Sequence, residues 1–206
     1  MSGARTLIIV RHGQSTGNAA GEFTGTRDVP LTMLGREQAR AAGRHLSERG
    51  LRPDAVFCST RSRTRESADM ILEAIGLPRQ NVVEAAELDE RDYGALTGLT
   101  HQAAEARWGA DQVAIWRRSF AAAPPDGESL RDTLARVAPC YITRILPAAM
   151  RGIALVVAHG NSLRALVAAI EGLSPDAIEA VELSTGSVRL YRLAADTTIE
   201  ACDIPT

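Results

Sequence analysis

Two segments of the chain follow one pattern, and together they restrict the fold more than any other feature. In residues 7–13 an apolar run leads into Arg-His-Gly, and in residues 154–160 another apolar run leads into His-Gly. Apolar runs of this length, rich in β-branched residues, are typical of buried strands in a parallel sheet. His12 and His159 would then lie at the carboxyl ends of two strands, where open α/β sheets bind their ligands.

The residues around each histidine indicate the kind of ligand. Gly13 is expected to let the backbone turn sharply past the imidazole, and residues 163–170 predict a helix that follows His159. Helix N-termini offer free N–H groups and the positive end of a dipole, which suit an anion. Together with Arg11, the two imidazoles predict a phosphate pocket. No metal site is expected, since the four histidines show neither HxH nor HExxH spacing.

Length and composition restrict the class of protein. The 206 residues suffice for one α/β domain spanning 1–206. With 23 basic and 25 acidic residues and no apolar run near the length of a membrane span, neither a nucleic-acid nor a membrane partner is expected. Residues 1–6 leave no room for a signal peptide, and the three cysteines form no CxxC pair. These features predict a reduced, cytoplasmic protein.

The order of the predicted elements gives the fold class. Strands are predicted at residues 7–10, 54–58, 82–83, 154–158 and 187–193, the last at the edge of the sheet. Helices are predicted at residues 33–48, 62–75, 102–108, 112–120, 129–150 and 163–170. Pro139 and Pro147 are expected to kink or interrupt the fifth helix. This alternation predicts a three-layer α/β/α sandwich with a mainly parallel sheet.

Several side chains fit phosphoryl chemistry. A neutral imidazole can attack phosphorus, and guanidinium groups match the geometry of phosphate oxygens. Arg61, Arg63 and Arg65 follow the second strand, and two of the three are expected to be solvated. Glu90, in a polar loop, could move the proton of the substrate oxygen.

The chain resembles the histidine phosphatase superfamily and, within it, the cofactor-dependent phosphoglycerate mutases. The superfamily resemblance depends on the Arg-His-Gly-Gln-Ser motif at residues 11–15 and the distant His159. The closer one depends on four further blocks, at residues 23–25, 88–96, 116–118 and 159–166. These blocks span nearly the whole chain in the order of the family.

The resemblance implies the fold and the roles of the residues. His12 would be the phosphorylated nucleophile, Glu90 the proton donor and acceptor, and Arg11, Arg63 and His159 would hold the phosphoryl group. The implied substrate contacts are Ser15, Asn18, Thr24, Gly25, Arg91, Tyr93, His101, Arg117, Arg118, Gly160 and Asn161. The resemblance also implies 2,3-bisphosphoglycerate as phosphoryl primer, a small phosphorylated metabolite as substrate and no metal. A homo-oligomer is left open.

Three positions depart from the family pattern. Gly17 and Thr26 stand where the family usually has Trp, and His101 stands where it has a substrate-facing Lys. We expect a mutase that interconverts 3-phosphoglycerate and 2-phosphoglycerate, because the two arginines of residues 117–118 are retained. The altered positions keep a second hypothesis open, a phosphatase acting on a sugar or other metabolite phosphomonoester. A third, a protein that only binds phosphorylated ligands, is disfavoured by the intact set of reactive residues.

Overall fold

A computed structural model describes residues 5–79 and 82–205, and its centre is a six-stranded sheet. The strands are β1 (Thr6–Arg11), β2 (Ala55–Cys58), β3 (Val82–Glu84), β4 (Ile153–Ala158), β5 (Val188–Leu193) and β6 (Ile199–Asp203). Their order across the sheet is β3-β2-β4-β1-β5-β6. β3, β2, β4 and β1 are parallel to one another. β5 pairs antiparallel with β1, and β6 pairs antiparallel with β5.

The two strands that carry the histidines are neighbours at the centre of the sheet. β1 and β4 pair in parallel, with Arg11 opposite Ala158, so His12 and His159 leave the sheet at the same edge. The N–H of His12 still donates to Ala158 O, at 3.0 Å. The sequence pattern predicted this meeting of the two strand ends.

Helices cover both faces of the sheet. They are α1 (Thr16–Ala19), α2 (Met33–Glu48), α3 (Ser62–Ile75), α4 (His101–Trp108), α5 (Ala110–Arg118), α6 (Leu130–Cys140), α7 (Leu146–Ala149), α8 (Gly160–Glu171) and α9 (Pro175–Glu179). Alternate residues of β1 point to opposite layers, because Ile8 packs with α2 and α3 and Ile9 packs with α6 and α8. The predicted three-layer α/β/α sandwich is confirmed.

α2 and α3, which cover one face of the sheet, begin and end near the residues that the sequence indicates. The hydroxyl of Thr32 accepts from the N–H of Gly35 and caps α2, while Gly76 ends α3 in a left-handed conformation with φ 73°. Gly50, at φ 66°, follows the end of α2. Helix bounds set by such local signals can be read from sequence.

The prediction that the strand at 187–193 forms the sheet edge is wrong. β5 lies between β1 and β6, and β6 is the outer strand. Most residues of β6 are exposed and its apolar side chains do not alternate with polar ones, so the pattern that marks a half-buried strand is missing. Pairing with β5 therefore determines this strand, which the sequence analysis did not predict.

The helix predicted at 129–150 is divided into three helical parts. α6 includes Pro139, a wider π-helical segment follows at Tyr141–Ile145, and α7 begins immediately before Pro147. Proline has no N–H to donate to the preceding turn, and a local change of helical pitch accommodates such gaps. Helical backbone continues through all three parts, so the prolines alter the helix without ending it.

A separate apolar cluster supports one wall of the site. Phe23, Leu96, Ala104 and Val113 are buried together, and the two tryptophans of α4 and α5 pack against them. This packing holds α4 and α5 together and against the loop segments that contain Phe23 and Leu96. Within the described residues, no helix is both long and apolar enough to cross a membrane.

Candidate active site

His12 directly follows β1 at the carboxyl edge of the sheet and is 2% exposed. Its neighbour Arg11 lines a cleft at this edge, and His12, His159 and Arg63 are buried behind the lining. The Nδ1 of His12 is 2.7 Å from Gly13 O. A carbonyl oxygen only accepts hydrogen bonds, so the ring hydrogen lies on Nδ1 and the lone pair lies on Nε2. This tautomer leaves Nε2 able to act as a nucleophile.

The glycine after His12 is required for a reason other than the predicted sharp turn. Its φ is not positive. A Cβ on Gly13 would lie 1.9 Å from Gly35 O in α2, and a Cβ on Gly35 would lie 2.1 Å from Gln14 O. The loop and the helix therefore touch backbone to backbone, and this close approach holds His12 in place.

The ring of His159 lies against the ring of His12. The two ring centroids are 5.0 Å apart, and the ring planes meet at 67°. Burial lowers the pKa of His12 well below its ordinary value, and the charges of Arg63 and Arg11 lower it further. Burial and the charge of Arg63 act in the same direction on the pKa of His159. Both imidazoles are therefore neutral at neutral pH.

Two arginines supply positive charge near the imidazoles. Arg63 is 1% exposed, and its guanidinium donates to the backbone oxygen of Arg27 at 2.9 Å. Arg11 lines the cleft and donates to the backbone oxygen of Leu183. In the described part of the chain neither arginine forms an ion pair with a carboxylate. Their charge is thus available to an anion that binds above His12.

The other two arginines after β2 have different surroundings. Arg61 pairs with Asp89 at 2.8 Å, and Arg65 lies 3.7 Å from Glu84 at the surface. Of the three candidates, Arg63 is the one buried beside the histidines.

Glu90 lines the cleft with its two carboxylate oxygens in different environments. Oε1 accepts from the N–H of Arg91 at 2.9 Å and from that of Asn161 at 3.1 Å. An oxygen that already accepts two hydrogen bonds is a poor place for a proton. Oε2 is therefore the oxygen that can hold and release one.

Most of the substrate contacts implied by the resemblance line the same cleft. These are Asn18, Thr24, Tyr93, His101, Arg117, Arg118, Gly160 and Asn161. Burial and the charge of Arg117 lower the pKa of His101. Asn161 donates through its side-chain amide to the hydroxyl of Tyr93 at 2.9 Å, which fixes both side chains.

Three predicted contacts lie behind the lining. Ser15 caps α1 and hydrogen-bonds Asn18, and the oxygen of Gly25 accepts from Arg63. Arg91 is fully buried, stacks on Tyr93 and donates to a backbone carbonyl at the end of α5. Arg91 therefore lies under α5, the helix that carries Arg117 and Arg118, and its side chain does not reach the cleft.

The family model described as histidine phosphatase superfamily, branch 1, matches residues 7–201. The chain belongs to the histidine phosphatase superfamily. A 2,3-bisphosphoglycerate-dependent phosphoglycerate mutase of Chelativorans is 51% identical over 205 residues, which are 99% of this chain and 98% of that protein. The enzyme of that name in Brucella melitensis biotype 2 is 48% identical over 202 residues, covering 98% of each chain.

Two solved structures share the fold of this chain at lower sequence identity than these two relatives. A protein titled mycobacterial hydrolase 1 has a TM-score of 0.82 and 28% identity, with 98% of each chain covered. A mycobacterial glucosyl-3-phosphoglycerate phosphatase has a TM-score of 0.81 and 29% identity, also with 98% of each chain covered.

Six residues that line the cleft were not predicted from the sequence, and three of them are charged: Glu22, Arg164 and Glu182. Arg164 donates to the backbone oxygen of Val181 at 3.0 Å and contacts the side-chain oxygen of Asn161 at 3.3 Å, and Glu182 pairs with Arg118. Arg164 lies three positions after Asn161 and so shares its helix face, a spacing that could have revealed it. No sequence signal marks Glu182.

The residues of the cleft offer no set of metal ligands. Among residues 5–79 and 82–205, no group of three or more His, Cys, Asp or Glu side chains could hold a metal ion. The polar groups that the cleft does present are mainly cationic or N–H donors, which suit phosphate and carboxylate oxygens.

Proposed function

We propose that this protein interconverts 3-phosphoglycerate and 2-phosphoglycerate by passing a phosphoryl group through Nε2 of His12. The observation that carries the proposal is the division of positive charge between two places in one cleft. Arg11 lines the cleft at the end of β1, next to His12, whereas Arg117 and Arg118 line it from the end of α5. A ligand with a phosphate at one end and a second anionic group at the other matches both places.

The second charged place is assembled at the wall that α5 forms. Arg117 has its guanidinium carbon 6.0 Å from the centre of the Phe23 ring, and Arg118 lies next to it on the same helix. In the described residues, neither Arg117 nor Arg164 is paired with a carboxylate. Removing one phosphoryl group needs only the charges beside His12. The unpaired charge at the wall supports a substrate with a carboxylate or second phosphate.

Loading of His12 with a phosphoryl group uses groups whose geometry favours it. The Nε2 lone pair of His12 attacks phosphorus while the bond between phosphorus and the ester oxygen breaks. The leaving oxygen takes a proton from Oε2 of Glu90, and Arg11 and Arg63 offset the charge of the phosphoryl oxygens. The products are phosphohistidine and a free hydroxyl group.

Unloading reverses these steps. A hydroxyl oxygen of the bound phosphoglycerate attacks the phosphoryl group on His12 as Glu90 takes its proton back, so Nε2 is free again. When bound, 2,3-bisphosphoglycerate supplies the phosphoryl group that first loads His12. The loaded enzyme therefore passes its phosphoryl group to the free hydroxyl of 3-phosphoglycerate, and His12 is loaded again from the other position, which leaves 2-phosphoglycerate. Retention of the doubly phosphorylated ligand between the two transfers requires Arg117 and Arg118. Arg11 and Arg63 would hold one of its phosphates, and Arg117 and Arg118 would hold its other charged groups.

The relatives named as phosphoglycerate mutases support this proposal, since they match nearly the whole chain at about half identity. A second candidate function has its own support. The glucosyl-3-phosphoglycerate phosphatase shares the fold, and His101 places a neutral side chain in the cleft. Weaker binding of the phosphoglycerate would let water reach phosphohistidine, and the enzyme would then be a phosphatase.

Phosphorus NMR separates the two functions. Enzyme, 3-phosphoglycerate and a trace of 2,3-bisphosphoglycerate are mixed, and the signals of both phosphoglycerates and of free phosphate are followed. The proposal expects the 2-phosphoglycerate signal to grow with little free phosphate. Steady release of phosphate would establish the phosphatase. Substitution of His12 by alanine should abolish either reaction.

A further inference from the structure

A chain of three buried side chains runs from α3 to His159. Ser59, at the end of β2, lies with its Oγ 2.7 Å from Nε2 of His159 and 2.7 Å from Oγ1 of Thr64. All three residues are 0% exposed. No role for Ser59 or Thr64 follows from the phosphoryl chemistry described above, although Ser59 touches one of its two imidazoles directly.

The direction of each hydrogen bond follows from the groups that can only accept or only donate. The Oγ1 of Thr64 lies 2.8 Å from Arg61 O, and a carbonyl only accepts, so the hydroxyl hydrogen of Thr64 points there. Thr64 must then accept the hydroxyl hydrogen of Ser59. The Oγ of Ser59 also accepts from the N–H of Arg61, at 3.2 Å.

With its single hydrogen given to Thr64, Ser59 can only accept from His159. The ring hydrogen of His159 therefore lies on Nε2. Its Nδ1 faces the N–H of Ser162 as the capping acceptor of α8, with a geometry short of an ordinary hydrogen bond. Both ring nitrogens thus favour the same tautomer, with hydrogen on Nε2 and a lone pair on Nδ1.

We propose that Ser59, supported by Thr64, is a positioning residue for phosphoryl transfer, which fixes His159 as the Nε2–H tautomer and holds its ring across His12. The two imidazole centroids are 5.0 Å apart, so rotation of either ring would change what a phosphoryl group on His12 meets. A neutral imidazole in a buried site needs such a partner, because the groups that face its two ring nitrogens determine which nitrogen carries the hydrogen. The Ser59 hydroxyl determines the tautomer of His159, as the backbone oxygen of Gly13 determines that of His12.

Nitrogen NMR of histidine-labelled protein tests the tautomer directly, without any substrate. Protonated and unprotonated ring nitrogens have well-separated shifts, and the His159 signals are assigned by their loss in His159→Gln. The proposal expects hydrogen on Nε2 in the unaltered protein. In Thr64→Val, the hydroxyl of Ser59 loses its acceptor and can turn towards His159, so hydrogen should move to Nδ1. Thr64→Ser keeps the hydroxyl and should preserve the original tautomer.

The kinetic test rests on the proposed phosphohistidine chemistry and is kept separate for that reason. We expect Ser59→Ala to lower the rate of His12 phosphorylation about tenfold to a hundredfold, with little change in KM. Ser62→Ala is the matched control, because the hydroxyl of Ser62 bonds to Asp28 and is outside the buried chain of hydroxyls. Thr64→Val should show a smaller loss, and Thr64→Ser should restore the rate.

Each outcome decides the proposal. Hydrogen on Nδ1 in the unaltered protein would overturn it whatever the substrate is. An unchanged tautomer in Thr64→Val, or an equal loss of rate in Ser59→Ala and Ser62→Ala, would also overturn it. If phosphoglycerate is not turned over, the proposed function fails alone, since the tautomer measurement is unaffected. Should Ser59→Ala fail to fold, the Thr64 pair carries the test.

Discussion

Replacement of Glu90 by glutamine separates the proton-transfer role of this residue from its structural one. The amide oxygen of glutamine can accept the two N–H groups that bond to Oε1, at 2.9 and 3.1 Å, so the loop and the start of α8 should keep their positions. The amide nitrogen takes the place of Oε2 and has no acidic proton to give. The expected cost is therefore that of proton transfer alone, about a hundredfold to ten-thousandfold in kcat. This range corresponds to about 3–5 kcal/mol in the activation free energy.

The assay compares two phosphoryl donors with the same enzyme. Phosphoglycerate has an alkoxide leaving group that needs a proton, whereas p-nitrophenyl phosphate has a phenolate that departs without one. The rate of His12 phosphorylation by phosphoglycerate should collapse in Glu90→Gln, and that by p-nitrophenyl phosphate should fall less than about tenfold. Glu128→Gln, which alters a carboxylate bonded to Arg136 outside the cleft lining, is the control. Equal losses for both donors would refute the assignment of the proton to Oε2.

Three further predictions concern packing, specificity and pH. Gly35→Ala should lower the free energy of unfolding in urea by about 1–3 kcal/mol and slow His12 phosphorylation, because its Cβ would meet Gln14 O at 2.1 Å. In the control variant Gly172→Ala, where the added Cβ has open space around it, the rate of His12 phosphorylation should not change. His101→Lys should lower the KM for phosphoglycerate about threefold to tenfold at pH 7.5 by adding a charge to the cleft, and an unchanged KM would place the substrate elsewhere. The folded pKa values of His12 and its facing imidazole lie below the ordinary 6.5, so the unfolded chain binds more protons in acid. The free energy of unfolding should therefore decrease as the pH falls below about 6.5, and a level profile from pH 7.5 to 5 would contradict this reasoning.

The features that sequence predicted well depend on local signals. The two His-Gly strand ends, the cap at Thr32 and the left-handed glycine at Gly76 each act within a few residues, so the strands and the helices of one layer could be assigned from them. The meeting of His12 and His159 at one edge of the sheet followed from the similarity of the two motifs. Periodicity and capping report local preferences, and these are the preferences that this fold retains.

The features that sequence missed depend on tertiary contacts. β6 has no alternating pattern and becomes a strand only by pairing with β5. Glu182 lies in a connecting segment and reaches the cleft because its carboxylate pairs with Arg118. Arg91 stands beside Glu90 in the sequence, but its side chain turns under α5. Neighbours in a loop can point in opposite directions, and only packing decides which one faces the substrate.

The pairing of β1 with β4 has a consequence for how this enzyme is made. The two strands that carry the histidines are joined in register, although Thr6 and Ile153 lie almost 150 positions apart in the chain. Contacts between such distant segments form slowly and late in folding. A chain leaving the ribosome therefore carries His12 for most of its synthesis without a partner for that histidine. Catalytic activity should appear only when the last quarter of the chain has emerged, which makes the onset of activity a marker of complete folding.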